Sequence, residues 1–314
     1  MEGPSPLLLH NIMPLFRRCL AVPLALCAAT GALAQTSATR TSQQAPAAAT
    51  KHMLFEVHGQ HATVYLLGSV HLLTPDAGVL PAVVDSAFAH SSRVVFEANM
   101  DTLQARGMEL MSRGRLPQGT TLRGVVDAKT YAKLDSVLPR YGLATPQVAS
   151  MKPWMLSLVL SQLTMMRAGF QPQFGVDMQL AKLAHAASKP IGGLESADFQ
   201  LGLFDTISPA DQNALLDESL IPPDSALSKI THLRDAWLRA DMHAIDSMTT
   251  ADMSGHPALL AAMLTDRTQR WVPQVEEMLR GSSDVLIVVG AGHLVGKKGL
   301  VALLKAKGYA ITQM

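Results

Sequence analysis

The feature that most constrains the fold is a short apolar run ending in Gly-x-x-His, which occurs twice, near opposite ends of the chain. The first run spans residues 64–67 and continues through Gly68 to His71. The second spans residues 285–289 and continues through Gly290 to His293. Continuous apolar runs of this length are typical of strands that are buried on both faces of a sheet. The two runs therefore predict two strands of one covered α/β sheet.

Between these runs the pattern is mainly helical. Apolar periodicity and turn residues extend the first run to a strand at residues 62–67 and predict further strands at 53–57, 93–97, 189–194 and 309–312. The strands at 53–57 and 62–67 are expected to form a hairpin, and the strand at 309–312 is expected at the edge of the sheet. Helices are predicted at residues 80–89, 128–138, 153–168, 177–188, 209–216, 230–248, 257–279 and 299–307. We therefore expect an α/β fold with a mixed central sheet and a helical insertion between about residues 100 and 285.

The N-terminal residues 1–34 are typical of a secretory signal peptide. Arg17 and Arg18 precede an apolar run, and Ala32 and Ala34 supply the small residues that a signal peptidase accepts. The run is too short for a stable membrane anchor, so we expect a periplasmic or secreted protein. Residues 35–52, rich in Ser, Thr, Ala and Gln, are predicted to be a disordered linker before a domain at 53–314. The net charge of +1 provides no basic field for nucleic acid.

The two histidines are the first candidates for chemistry. In open α/β sheets ligands bind outside the carboxyl ends of the strands, and a glycine there allows a sharp turn close to a ligand. A histidine three residues later can project over the sheet edge. If the two strands are neighbours, His71 and His293 could share a divalent metal. The alternative interpretation is that both histidines occupy ordinary loops.

Four charged residues could complete such a site. Glu97 follows an apolar strand, as does Glu195, and both could reach the same sheet edge, although either could simply mark the exit of its strand into solvent. Asp177 begins a predicted helix and could instead be its N-cap. Arg267 lies in an amphipathic helix, where it could bind a substrate anion or lie on the surface.

Several of these segments together resemble the TraB/GumN family, whose eukaryotic relatives include the TIKI membrane-anchored proteases. The matching segments are LLGSVH at 66–71, VVFEAN at 94–99, FGVD at 174–177, KPIGGLES at 189–196 with Gln200, and VVGAGHLVGKKGL at 288–300. The resemblance covers roughly residues 53–314. The family often has Arg-Asn in the late helix, whereas here Arg267 is followed by Thr268.

The resemblance implies a fold similar to that of erythromycin esterases and ChaN-like haem-binding proteins, together with metal-dependent hydrolysis, which for the TIKI branch is peptide cleavage. His71, Glu97 and His293 would hold a divalent Mn, Co, Zn or Fe ion, with Glu97 as a ligand or general base. Arg267 would stabilise developing charge, and Asp177 and Glu195 would support the site. We expect a peptide or small-molecule substrate. The alternative is a periplasmic protein that binds haem, a metal or a peptide without turnover.

Overall fold

The computed structural model describes residues 51–251 and 255–314. The expected signal peptide and all of the expected linker except Lys51 and His52 lie outside the described residues. The backbone N–H of His52 donates to the carbonyl of Met314 at 2.6 Å, next to the final strand. Within the described residues, no helix is both long enough and apolar enough to cross a membrane.

The centre of the fold is a six-stranded mixed sheet, which confirms the predicted fold class. Its strands are β1 (Leu54–His58), β2 (Thr63–Ser69), β3 (Arg93–Ala98), β4 (Ile191–Glu195), β5 (Val285–Gly290) and β6 (Ile311–Gln313), in the spatial order β4-β3-β5-β2-β1-β6. Strands β4, β3, β5 and β2 are mutually parallel, whereas β1 pairs antiparallel with both β2 and β6. The carboxyl ends of four strands from distant parts of the chain therefore meet at one edge.

The helices are α1 (Ala82–His90), α2 (Met100–Ala105), α3 (Gly107–Arg113), α4 (Ala128–Val137), α5 (Thr145–Val148), α6 (Pro153–Arg167), α7 (Val176–Ala186), α8 (Ala197–Thr206), α9 (Pro209–Ser219), α10 (Pro223–Leu238), α11 (Met242–Ala251), α12 (Pro257–Leu260), α13 (Asp266–Arg280) and α14 (Leu300–Ala306). Short 3₁₀ turns lie at Leu122–Gly124, Leu138–Tyr141, Pro172–Phe174 and Ala291–His293. A π-helical turn, Ala261–Thr265, joins α12 to α13. Most of the predicted helices are therefore present, and strand β4 lies inside the mainly helical insertion.

The apolar residues form two clusters. The larger one surrounds the sheet and includes β5, in which Val285 to Val289 are at most 2% exposed. Burial of each such side chain contributes about 1.5–3 kcal/mol, so the strand that carries the second Gly-x-x-His turn is firmly held. The smaller cluster lies among the helices of the insertion, with Leu134, Leu156 and Leu216 fully buried. The site at the sheet edge thus rests on the larger core.

Two helix predictions were wrong in their details. The single helix expected at 230–248 is two helices, α10 and α11, because the chain turns at Ala240, whose φ is 52°. The side chain of Asp241 then accepts the backbone N–H of Ala244 at 2.9 Å and starts the next helix. The helix expected at 257–279 is interrupted by the π-helical turn, and such turns often lie at functional sites.

Candidate active site

The two Gly-x-x-His turns lie side by side because β2 and β5 are neighbouring parallel strands. Ser69 pairs with Gly290 across the two strands, and each is the last residue of its strand. A Cβ added at Gly290 would lie 3.2 Å from Oε1 of Glu97, so this glycine lets the backbone approach the carboxylate closely. The expectation that distant parts of the sequence bring both turns to one sheet edge is therefore met.

Glu97, on the neighbouring strand β3, is held by two strong donors. Its Oε1 accepts the backbone N–H of Gly290 at 2.8 Å, and its Oε2 accepts Nη2 of Arg267 at 2.6 Å. The Glu97 side chain is only 15% exposed. Gln200 adds a longer contact of 3.3 Å from its side-chain nitrogen to Oε2. Glu97 is thus fixed between a strand exit and a buried cation.

Arg267 also binds Glu195, at the end of the edge strand β4. Its Nε lies 3.1 Å from both carboxylate oxygens of Glu195, and its Nη2 lies 2.8 Å from Oε2. Trp271, one turn later on α13, donates its Nε1 to Oε1 of Glu195 at 3.0 Å. Arg267 is 6% exposed and its Nη1 donates to the carbonyl of Met263 at 3.1 Å. The surface alternative for Arg267 is therefore wrong, and its main partners are two glutamates.

The charges of this cluster determine the protonation of Glu97. Burial alone would raise its pKa, but the nearby His293, Arg267 and His71 and the N–H of Gly290 outweigh that effect and lower the pKa to about 2. The carboxylate is therefore ionised at neutral pH. An acid of such low pKa is a weak proton acceptor, and a general base works best with a pKa near the operating pH. This low pKa favours Glu97 as a ligand or anchor over Glu97 as the base.

His71 is oriented by Asp177. Its Nδ1 lies 2.9 Å from Oδ2 of Asp177, while Ser69 donates its hydroxyl to Oδ1 of Asp177 at 3.0 Å. Asp177 lies in the first turn of α7, but the N-cap of that helix is Gly175, so the capping interpretation of Asp177 is wrong. The carboxylate of Asp177 is the main cause that raises the pKa of His71 to about 9, against the lowering effect of desolvation. With 66% of its side chain exposed, His71 faces the opening of the site.

His293 is buried, with 5% exposure. Its Nδ1 lies 2.8 Å from Oγ1 of Thr268, its Nε2 lies 3.8 Å from Oε1 of Glu97 and 3.4 Å from Nη1 of Arg267, and its ring centre lies 4.3 Å from that of Trp271. Burial is the largest cause that lowers the pKa of His293 to about 4, partly offset by Glu97. At neutral pH the exposed His71 is therefore protonated, whereas the buried His293 is neutral.

The donor types in this cluster fit a divalent metal. Both histidines use Nδ1 to contact a side chain, so a metal would bind through Nε2, and histidine ligands usually have such an outer partner. In His293 this Nε2 also lies 3.4 Å from Nη1 of Arg267. Two atoms bound to one ion at about 2.0–2.1 Å are at most about 4.2 Å apart, so the 3.8 Å separation of His293 Nε2 and Glu97 Oε1 is compatible with a shared ion. Within the described residues, no three candidate ligands are already gathered closely enough to hold an ion. A site formed by His71, Glu97 and His293 would therefore require their side chains to rearrange.

Sequence reasoning had overlooked part of this cluster. Ser69 contacts Asp177, Thr268 contacts His293, and Trp271 contacts both Glu195 and His293. Ser69 could have been found, since it lies inside the first Gly-x-x-His turn. Thr268 and Trp271 share the buried face of α13 with Arg267, at spacings that an amphipathic helix also uses for ordinary core residues.

Comparison with known proteins agrees with the resemblance. The uncharacterised protein YbaP of Escherichia coli (strain K12) is 24% identical over 242 residues, which cover 77% of this chain and 87% of YbaP. YbaP of Shigella flexneri matches to the same extent. No solved structure showed significant similarity to this chain, so the expected kinship with erythromycin esterases and ChaN-like proteins stays a prediction. Residues 53–313 match the TraB/PrgY/gumN family, and the chain therefore belongs to that family.

Proposed function

We propose that this protein is an exported, metal-dependent hydrolase that acts on peptide bonds. One observation carries the proposal: His71 and His293, on neighbouring strand exits, both have Nδ1 held by a side chain, and Nε2 of His293 lies 3.8 Å from Oε1 of Glu97. Imidazoles that are oriented in this way are typical of metal ligands. The choice of peptides over other substrates rests on the resemblance to the TIKI branch.

In this proposal His71, His293 and Oε1 of Glu97 hold the ion. A bound Mn, Co, Zn or Fe ion would polarise a carbonyl and lower the pKa of water towards ~7. Arg267 and Glu195 keep Glu97 in place, since Arg267 contacts both carboxylates. Because Asp177 keeps His71 protonated at neutral pH, His71 must release a proton before its Nε2 can bind a cation.

A second candidate function is ligand binding without turnover. The enclosure of His293 by Arg267, Thr268 and Trp271 favours it, because only His71 of the two histidines is then exposed to a ligand. A periplasmic protein of this kind would capture haem, a metal or a peptide at the opening beside His71. The two functions differ in whether the wild type cleaves any substrate.

The test uses protein purified without chelator. We expect about one transition metal per chain in elemental analysis, cleavage of a random peptide library followed by mass spectrometry, and loss of cleavage when a chelator is added. Glu97→Gln should lower metal content, and excess metal should restore part of the activity, as expected for a ligand. His185→Ala is the control, because His185 forms an exposed pair with Asp101 at 2.9 Å. If the wild type cleaves nothing yet binds a ligand that His71→Ala no longer binds, the protein is a binding protein.

The proposed location has a separate test. If residues 1–34 are removed during export, mass spectrometry of the protein from the periplasm should find an N-terminus at Gln35. A full-length protein that stays in the cytoplasm would contradict export and leave the proposed chemistry untouched.

A further inference from the structure

Thr268 contacts His293 through a hydroxyl that has only one way to arrange its hydrogen bonds. Thr268 is 1% exposed, and its Oγ1 lies 2.9 Å from the carbonyl oxygen of Leu264 and 2.8 Å from Nδ1 of His293. A hydroxyl has one proton, and a carbonyl can only accept. The hydroxyl therefore donates to Leu264 and accepts from His293, so Nδ1 of His293 carries the proton.

The other ring nitrogen of His293 gives an independent indication. Nη1 of Arg267 lies 3.4 Å from Nε2 of His293. A guanidinium group has only donors, so a protonated Nε2 would point its hydrogen at those of Arg267. An unprotonated Nε2 avoids this repulsion. Contacts on opposite sides of the ring thus select the same tautomer, and with 5% exposure of His293 little water can take the place of either partner.

We infer that Thr268 is a positioning residue, which holds His293 as the Nδ1–H tautomer and directs the unprotonated Nε2 towards Glu97. Its own anchor is the carbonyl of Leu264, which belongs to the π-helical turn before α13. That turn brings two consecutive side chains, Arg267 and Thr268, to the same cluster, and both are bonded to carbonyls four residues earlier. The π-helical turn is thereby part of the site.

The first experiment measures the tautomer itself, in metal-free protein, by ¹⁵N NMR of the His293 ring. The wild type should show a protonated Nδ1 and an unprotonated Nε2. Thr268→Val keeps the shape but leaves the buried Nδ1–H without an acceptor, which costs more than the long 3.4 Å contact of Nε2 with Arg267 can offset. We therefore expect a mixture of tautomers, whereas Thr268→Ser should keep the wild-type signals. Thr164→Val is the matched control and should also keep them, because Thr164 is a buried threonine on α6 whose hydroxyl likewise donates to a carbonyl four residues earlier. If Thr268→Val does not fold, Thr268→Ala replaces it.

The second experiment measures the affinity for Zn²⁺ or Mn²⁺ and rests on the proposed function. Removing the outer partner of a histidine ligand typically lowers metal affinity about 10–100-fold, so Thr268→Val should show such a loss and Thr268→Ser should not. A single wild-type tautomer in Thr268→Val would overturn the inference. If the tautomers mix in Thr268→Val but no variant, including the wild type, binds metal, the positioning role stands and the proposed function fails.

Discussion

Replacing Arg267 by methionine should destabilise the protein more than almost any other single change at the site. The Arg267 side chain is 7% exposed, and its two partners, Glu97 and Glu195, are 15% and 5% exposed. Arg267→Met keeps much of the volume but leaves two neighbouring carboxylates without their cation. Both would have to stay charged in a poorly solvated place or take up protons, and either outcome costs free energy of folding.

The size of this destabilisation follows from the burial of the ion pairs that Arg267 forms. Removing one partner of a buried ion pair typically costs about 3–5 kcal/mol of the free energy of unfolding. For a domain of this size each kcal/mol corresponds to about 2–4 °C in the melting temperature, so we expect a decrease of roughly 6–20 °C at pH 7. The double variant Arg267→Met/Glu195→Gln has only one unpaired carboxylate, so part of the lost free energy of unfolding should be recovered.

The loss should also depend on pH in a defined direction. In the wild type the pKa of Glu97 is lowered from 4.5 to about 2, so its contribution to stability is present above pH 4.5 and disappears as the pH falls through 2. Without Arg267 the pKa of Glu97 should rise, and protonation at acidic pH should relieve the repulsion. The difference in free energy of unfolding between the variant and the wild type should therefore be smaller at pH 4 than at pH 7.

Urea and thermal unfolding at both pH values measure this prediction. Arg270→Met is the control: Arg270 is on the same helix but exposed, with its guanidinium 4.7 Å from the ring centre of Phe199, so its loss should cost no more than about 1 kcal/mol. A destabilisation below about 1 kcal/mol for Arg267→Met, or one that does not change with pH, would refute the view that Arg267 neutralises two buried glutamates.

Two further predictions concern His71. Asp177→Asn should lower the pKa of His71 from about 9 towards 6.5 in an NMR titration, because the charge of Asp177 is the main cause of the increase; an unchanged pKa would contradict that assignment. The contribution of His71 to stability is complete below pH 6.5 and is lost as the pH rises through 9, so the wild type should lose stability between pH 7 and 9.5 and Asp177→Asn should lose less. Gly175→Ala should lower the free energy of unfolding by at least about 1–3 kcal/mol and displace His71, since the added Cβ would lie 2.0 Å from the carbonyl oxygen of His71. Gly202→Ala is the control, because the space around Gly202 is open. Similar melting temperatures for both variants would argue against this steric role of Gly175.

The sequence predicts the sheet well because its strands carry strong local signals. The continuous apolar runs of β2 and β5 each indicate a strand, and glycines at the strand exits indicate where the chain turns. The sequence does not determine which strands are neighbours, so the parallel pairing of β2 with β5 is known from the structure alone. His71, Glu97 and His293 could be predicted from position alone, since each lies within three residues of the end of one of these strands.

The roles of Arg267, Asp177 and Thr268 could not be predicted, because they depend on which helix packs over the sheet edge and in which register. The periodicity of α13 indicates a buried face but not that its arginine reaches two glutamates. The π-helical turn at Ala261–Thr265 shifts this register, and its sequence contains no glycine or proline that would indicate a break in the helix. The break at Ala240 is similar, since alanine normally favours a continuous helix.

The measurement that tests the central claim most directly is metal binding by the two histidines. Titration of metal-free protein with Mn²⁺, Co²⁺, Zn²⁺ and Fe²⁺ should show one site per chain. His71→Ala and His293→Ala should each abolish it, with the double variant little worse than either, because residues that act as one unit are not additive. His185→Ala should bind like the wild type. If His71→Ala and His293→Ala each bind these ions as tightly as the wild type does, the two Gly-x-x-His turns do not form a metal site.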